Sequence, residues 1–88
     1  MSVLVRLSVS GMTADVYDTV SEHLTPGLLA APGFVVHVAF TGDDAFHVSE
    51  IWESREDFQN WFDTSVKPNV PGVEIDLVKE VHNVIIKK

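Results

Sequence analysis

The chain has 88 residues, no cysteine and a net charge of −7, from 13 acidic and 6 basic side chains. A chain of this length supports one domain, spanning residues 1–88, and the lack of cysteine excludes disulfides, thiolate metal sites and a cysteine nucleophile. The acidic balance argues against nucleic acid or an anionic membrane as a partner, and no secretory signal or membrane-spanning apolar run is visible, so a cytoplasmic protein is expected.

Alternating apolar residues predict a first strand from Val3 to Val9. One face of this strand is apolar (Val3, Val5, Leu7 and Val9), and the other is mixed (Leu4, Arg6 and Ser8). Thr13 is expected to cap a helix that begins at Ala14, because its hydroxyl can accept a hydrogen bond from a free N–H of the first turn. The buried stripe of this helix is expected to contain Val16, Tyr17, Val20 and Leu24. Pro26-Gly27 is predicted to end the helix, or to start a short extra turn through Leu28-Leu29.

A second strand is predicted from Phe34 to Phe40, and the Gly42-Asp43 pair that follows is typical of a tight hairpin turn. The third strand is predicted from Ala45 to Glu53. Ser54 is expected to cap a second helix, and the last strand is predicted from about Val73 to Ile86. The elements therefore follow the order β-α-β-β-α-β, the ferredoxin-like arrangement of the α+β class. Its antiparallel sheet carries both helices on one face and leaves the other face bare.

A two-residue turn at Gly42-Asp43 would place Thr41 opposite Asp44 and so fix which side chains of the hairpin share a face. One face carries Phe34, Val36, Val38, Phe40 and Ile51, and we expect it to lie beneath the helices. The other carries Val35, His37, Ala39, Phe46, Val48, Glu50 and Trp52, and we expect a second copy of the chain to cover it. Glu50 and Trp52 would then form the wall of a cavity, the alternative being an unusual core. His37 would lie diagonal to Glu50, within hydrogen-bonding reach.

The element order and two short motifs resemble the dimeric α/β-barrel superfamily, and more narrowly its antibiotic-biosynthesis-monooxygenase-type branch. The motifs are Pro32-Gly33-Phe34 and Glu50-Ile51-Trp52-Glu53-Ser54 followed by Glu56-Asp57-Phe58. The ending Val81-His82-Asn83-Val84 resembles that of small uncharacterised members of the superfamily. The resemblance implies a homodimer whose sheets face each other and a cavity for a small molecule. It also implies that a tryptophan at the position of Trp52 lines the substrate pocket.

The sequence also departs from the patterns of this superfamily. The monooxygenases it resembles have an asparagine where this chain has Val48. The haem-degrading branch uses an asparagine on the first strand and a histidine late in the second helix. Here the corresponding segments read Leu4, Arg6, Ser8 and Phe62-Asp63-Thr64-Ser65. Haem degradation is therefore not expected, and neither is a tightly bound cofactor.

The candidate catalytic residues are His37 and Glu50, which could transfer protons as a pair. The alternative is a structural hydrogen bond that neutralises two buried polar groups. The candidate substrate-binding residues are Trp52, Val48, Phe46, Val35, Phe58, Arg6 and His82. Arg6 could instead pair with a carboxylate such as Glu80 on the last strand. A metal site of His37, His82 and Glu50 lacks supporting local spacing, so no metal is expected.

Two functions remain open from the sequence. The first is an enzyme, either a cofactor-free monooxygenase or an isomerase, that acts on a small aromatic or polyketide-like molecule. The second is a non-catalytic ligand-binding or dimerisation module. A cavity large enough for a two-ring ligand, faced by both His37 and Glu50, would favour the enzyme. A cavity filled by Trp52 and Phe46 would favour the module.

Overall fold

The computed structural model describes residues 1–82, Ile86 and Lys88. Its elements are β1 (Val3–Ser10), α1 (Ala14–Ala30), β2 (Phe34–Thr41), β3 (Ala45–Trp52), α2 (Arg55–Trp61), a π-helical turn (Phe62–Val66) and β4 (Val73–Glu80). This order confirms the predicted ferredoxin-like α+β fold. The predicted last strand is too long, because β4 ends at Glu80, and its segment 83–85 lies outside the described residues. In the described part of the chain, no helix is long and apolar enough to cross a membrane.

The four strands form one sheet in the order β2-β3-β1-β4, with antiparallel pairing throughout. β1 lies inside the sheet, and its predicted apolar face is buried along its whole length: Val3, Val5, Leu7 and Val9. This alternation is the signature of a strand with one face on the core. The core continues into the second helical segment through Phe58, Trp61, Phe62 and Val66.

Both predicted helix caps are confirmed. The Thr13 hydroxyl accepts a hydrogen bond from the Val16 N–H at 3.2 Å, and the Ser54 hydroxyl accepts one from the Asp57 N–H at 3.1 Å. Gly33 joins α1 to β2 with φ +83°, and a Cβ there would collide with the Asp57 side chain. Only glycine combines this backbone conformation with so close an approach of α2.

Of the two alternatives predicted at Pro26-Gly27, the end of the helix is wrong and the extra turn agrees with the structure, because α1 continues through Leu28 and Leu29 to Ala30. Proline removes one backbone donor from the helix, so the extension must be stabilised by packing. Leu28 is buried in the core, and the α1 backbone at Gly27 packs so closely on Trp61 that a Cβ would lie 3.4 Å from its ring. Tertiary contacts therefore extend the helix past its local stop signal.

The predicted hairpin register is wrong by two residues. Thr41 pairs with Phe46, and His37 pairs directly with Glu50. The N–H of Gly42 donates to the carbonyl of Ala45 at 2.8 Å, so the two residues of the turn are Asp43-Asp44, one position later than predicted. A shift of two keeps each side chain on the same side of the sheet.

A β-bulge at the start of β2 changes the side of one residue. Phe34 lies opposite Trp52, and Val36 lies opposite Ile51, so Val35 is the extra residue of the bulge. The Phe34 ring therefore packs edge-on against Trp52, with ring centroids 5.5 Å apart. The prediction had placed Phe34 on the same face as Val36.

The prediction of which face of the hairpin lies beneath the helices is also wrong. Trp52 packs on Phe58 and Trp61 of α2, with centroids 6.1 and 6.5 Å apart, so its face lies beneath the helices. The residues that were predicted to lie on the face without helices are Val35, His37, Ala39, Phe46, Val48, Glu50 and Trp52. The reason lies in β1, whose Val3 and Val5 pair with Trp52 and Glu50 and so take that side of β3 into the core. The opposite side, here called the helix-free face, exposes Val36, Val38 and Phe40.

Candidate active site

A cavity of about 430 Å³ lies between α1 and the helix-covered face of the sheet. Its wall is mainly apolar: Val20, Leu24, Leu28 and Leu29 from α1, Leu7, Val9, Phe34, Phe46 and Val48 from the strands, and Trp61, Val66 and Val70 from the segment after β3. Its volume falls within the range of about 300–1,000 Å³ that is typical of small-molecule sites. The cavity also has three titratable side chains in its wall, those of Tyr17, His37 and Glu50.

These three side chains and Trp52 form one polar network. Glu50 is only 3% exposed, and its Oε1 accepts a hydrogen bond from the Trp52 indole N–H at 3.0 Å. Its Oε2 lies 2.6 Å from His37 Nδ1. The other ring nitrogen, Nε2, lies 2.6 Å from the Tyr17 hydroxyl. In the described residues, no buried side-chain nitrogen or oxygen lacks a hydrogen-bond partner.

With Glu50 ionised and His37 neutral, each hydrogen bond of the polar network has only one possible direction. An ionised Glu50 can only accept, so His37 carries its proton on Nδ1 and donates it to the carboxylate. A neutral imidazole then presents a lone pair at Nε2, and the Tyr17 hydroxyl donates to it. Glu50 thus selects the tautomer of His37 that can accept a proton from the cavity side. Such an arrangement is suited to general-base chemistry.

The Tyr17 ring is held between the network and the apolar wall. It stacks on Phe46, with centroids 4.6 Å apart and planes 21° apart, and lies nearly parallel to the His37 ring. Burial raises the pKa of Tyr17 above its ordinary value of 10.0. The negative charges of Glu50 and Asp18 also raise the pKa, whereas a hydrogen bond with the Ser21 side chain lowers it. The neutral phenol is therefore the favoured form in the folded protein.

The ionisation of Tyr17 can be followed directly, because it is the only tyrosine of the chain. We expect phenolate absorbance at 295 nm to rise at higher pH in the folded protein than in urea-unfolded protein, which should titrate near 10. The contribution of Tyr17 to stability should be constant below about pH 10 and should be lost as the pH rises through the raised folded pKa. A folded titration at or below the unfolded one would contradict the assigned environment.

The structure brings together several of the predicted site residues. His37 and Glu50 are hydrogen-bonded and line the cavity, together with Val35, Phe46 and Val48. Their predicted roles in binding and catalysis stay predictions. Trp52 and Phe58 are fully buried in the core and are not among the residues that line the cavity. Trp52 reaches the site through its hydrogen bond to Glu50.

Two predicted binding residues lie elsewhere. Arg6 is exposed and pairs with Ser49 and Leu77, on the side of the sheet away from the cavity. Glu80 lies opposite Val3 instead, so the expected Arg6–Glu80 pair is not formed. His82 is exposed beyond the end of β4. In the region covered by the structure, no cluster of three or more His, Asp or Glu side chains could hold a metal ion.

The sequence interpretation missed Tyr17 as a site residue. Its helical spacing placed it correctly on the inner stripe of α1, where it was treated as core. Its hydroxyl is a signal that could have identified it, since a buried tyrosine usually needs a hydrogen-bond partner. The reversed face assignment hid that partner, because it placed His37 on the side without helices.

The fold and the site together define a small ferredoxin-like protein with an apolar cavity and a buried acid–base network. A family model matches residues 1–67, and the chain belongs to the antibiotic biosynthesis monooxygenase family. This confirms the family resemblance noted from the sequence. Among curated proteins, none matches this chain in sequence.

Solved structures share the fold at low sequence identity. SnoaB, a cofactor-independent oxygenase from Streptomyces nogalater, is 11% identical with a TM-score of 0.63, over 98% of this chain and 97% of SnoaB. A variant of MhuD with two manganese protoporphyrin IX bound per active site is 20% identical with a TM-score of 0.66, over 99% and 100% of the two chains. The heme-degrader MhuD from Mycobacterium tuberculosis, with two hemes bound, is 20% identical with a TM-score of 0.53, over 97% and 99%.

Proposed function

We propose that this protein binds a small aromatic or polyketide-like molecule in its cavity and oxygenates it without a tightly bound cofactor. The observation that carries the proposal is the placement of the Tyr17–His37–Glu50 network in the wall of an otherwise apolar cavity. The cavity is not filled by Trp52, and both His37 and Glu50 belong to its wall. This combination favours an enzyme over a non-catalytic binding module.

The chemistry requires a base and dioxygen. Removal of a proton from an acidic methylene group leaves an electron-rich carbanion, which can give electrons to O₂. A methylene group and one O₂ then yield a carbonyl group and one water, so that atoms and electrons balance. His37 would take up the proton, and Glu50 would stabilise the imidazolium that forms. An isomerase would use the same base but return the proton to a different carbon atom.

Membership of the family and the shared fold of SnoaB support this proposal. MhuD has the same fold and degrades heme, and the expectation from the sequence that this chain does not degrade haem stays a prediction. The expected cytoplasmic location also stays a prediction.

The proposal can be tested with anthrone, a three-ring ketone whose methylene group loses a proton readily. We expect the protein to bind anthrone and to accelerate both O₂ uptake and formation of the quinone over the rate in buffer. Binding without acceleration would instead support the non-catalytic module. If anthrone and smaller two-ring analogues produced no thermal shift and no turnover, the proposal would be wrong.

We further propose that two copies associate through the helix-free face. Its side chains Val36, Val38 and Phe40 are 36%, 55% and 44% exposed, and adjacent apolar groups of this kind favour burial against a partner. Light scattering should give a dimer at micromolar concentration, and Val38→Asp should convert it to a monomer. Val16→Asp is the matched control, because Val16 is similarly exposed (49%) but lies on α1. A monomeric wild type would contradict this proposal.

A further inference from the structure

Both ring nitrogens of His37 are already engaged within the protein. Nδ1 lies 2.6 Å from Glu50, and Nε2 lies 2.6 Å from the Tyr17 hydroxyl oxygen. A ligand that delivered its proton directly to Nε2 would have to displace Tyr17. The Tyr17 ring, however, is fixed by its stack on Phe46. The hydroxyl oxygen of Tyr17 lines the cavity and is therefore the atom through which a ligand could pass a proton to Nε2.

Building on the oxygenase function proposed above, we propose that Tyr17 contacts the reacting group of the ligand and passes its proton to His37. Tyr17 is suitably placed for this role, because it lines the cavity and its hydroxyl group is hydrogen-bonded to His37 Nε2. While its hydrogen points to Nε2, its oxygen keeps a lone pair that can accept a proton from the ligand. Tyr17 is then the catalytic residue, while Glu50 acts through His37 as a positioning residue.

Two protons move in this step. A C–H or O–H bond of the ligand breaks, and its proton forms a bond with the Tyr17 oxygen. The original Tyr17 proton moves to His37 Nε2, and the electron pair of the broken bond stays on the ligand as an enolate or phenolate. The positive charge on His37 then faces the Glu50 carboxylate. Tyr17 is neutral before and after the step, which suits a site where burial disfavours its phenolate.

The first experiment tests the contact without requiring turnover. Binding of 1-naphthol and of naphthalene is measured for the wild type and for Tyr17→Phe, which keeps the aromatic stack and removes only the hydroxyl. We expect 1-naphthol to bind Tyr17→Phe about threefold to tenfold more weakly than the wild type, the effect of one lost hydrogen bond. Naphthalene, which has no hydroxyl, should bind both proteins equally. Equal losses for the two ligands, or no loss for either, would overturn the contact.

The second experiment tests the proton path. In the anthrone assay, Tyr17→Phe should lower kcat by about 100-fold, as expected for loss of a positioned proton-transfer group, while KM changes little. An unchanged kcat in an active enzyme would overturn the proposed path and leave the oxygenase function standing. If the wild type turned over neither anthrone nor its smaller two-ring analogues, the oxygenase function would fail, and the naphthol comparison would still decide whether Tyr17 contacts the ligand.

Discussion

Replacing Trp52 by alanine is expected to lower the free energy of unfolding by about 3–5 kcal/mol, the usual cost of removing a large buried aromatic side chain. Trp52 is completely buried and packs on Phe34, Phe58 and Trp61. The substitution would leave a cavity in the centre of the core and also remove a donor to Glu50. Because small domains are stabilised by only about 5–15 kcal/mol, the loss should be evident in urea unfolding followed by far-ultraviolet circular dichroism.

Two further variants separate the effect of packing from that of the hydrogen bond. Trp52→Phe keeps most of the ring but leaves Glu50 Oε1 without its donor, and we expect it to cost about 1–3 kcal/mol. Val16→Ala changes an exposed apolar residue and should cost less than about 0.5 kcal/mol. If Trp52→Ala cost no more than Val16→Ala, the assignment of Trp52 to the core would be wrong.

Replacing His37 by alanine is expected to reduce turnover of anthrone by about 10²–10⁴-fold, the range that general acid–base groups contribute. The variant removes the proton acceptor and one hydrogen-bond partner from each of Tyr17 and Glu50. The measurement is the initial rate of O₂ uptake at saturating substrate. His23→Ala is the matched control, because His23 lies on the exposed surface of α1 and should leave the rate unchanged.

Glu50→Gln gives a sharper test of the same site. The amide can still accept the Trp52 N–H through its oxygen, but its NH₂ group would then donate to His37 Nδ1. That reversal forces the His37 proton onto Nε2, which could no longer accept one from Tyr17. We therefore expect a loss of turnover comparable to that of His37→Ala, with the helical circular dichroism retained. Full activity in both variants would show that neither residue handles the proton.

Local signals in the sequence account for much of the fold. The caps Thr13 and Ser54 predicted the starts of both helices, because a side-chain oxygen at that position satisfies a free N–H of the first turn. The period-two pattern of β1 predicted which of its side chains are buried. The same period placed His37 and Glu50 on one side of the hairpin, and they are hydrogen-bonded there even though the predicted register was wrong by two residues.

The end of α1 was decided by packing between distant parts of the chain. Pro26 is a local stop signal, yet contacts of Gly27 with Trp61 and burial of Leu28 carry the helix onward. The added turn also brings Leu28 and Leu29 to the cavity wall. The position of this wall could not be read from the proline alone, because the stabilising contacts come from residues more than thirty positions away.

By itself, the sequence determined the element order, the helix starts, and the shared face of His37, Glu50 and Trp52. Only the tertiary structure decided that this face lies beneath the helices and that Tyr17 completes the polar network. The physical reason is that both faces of the β2–β3 hairpin are apolar, so hydrophobicity within the hairpin does not choose between them. The choice comes from pairing with β1, whose uniformly apolar side takes Trp52, Glu50, Val48 and Phe46 inward.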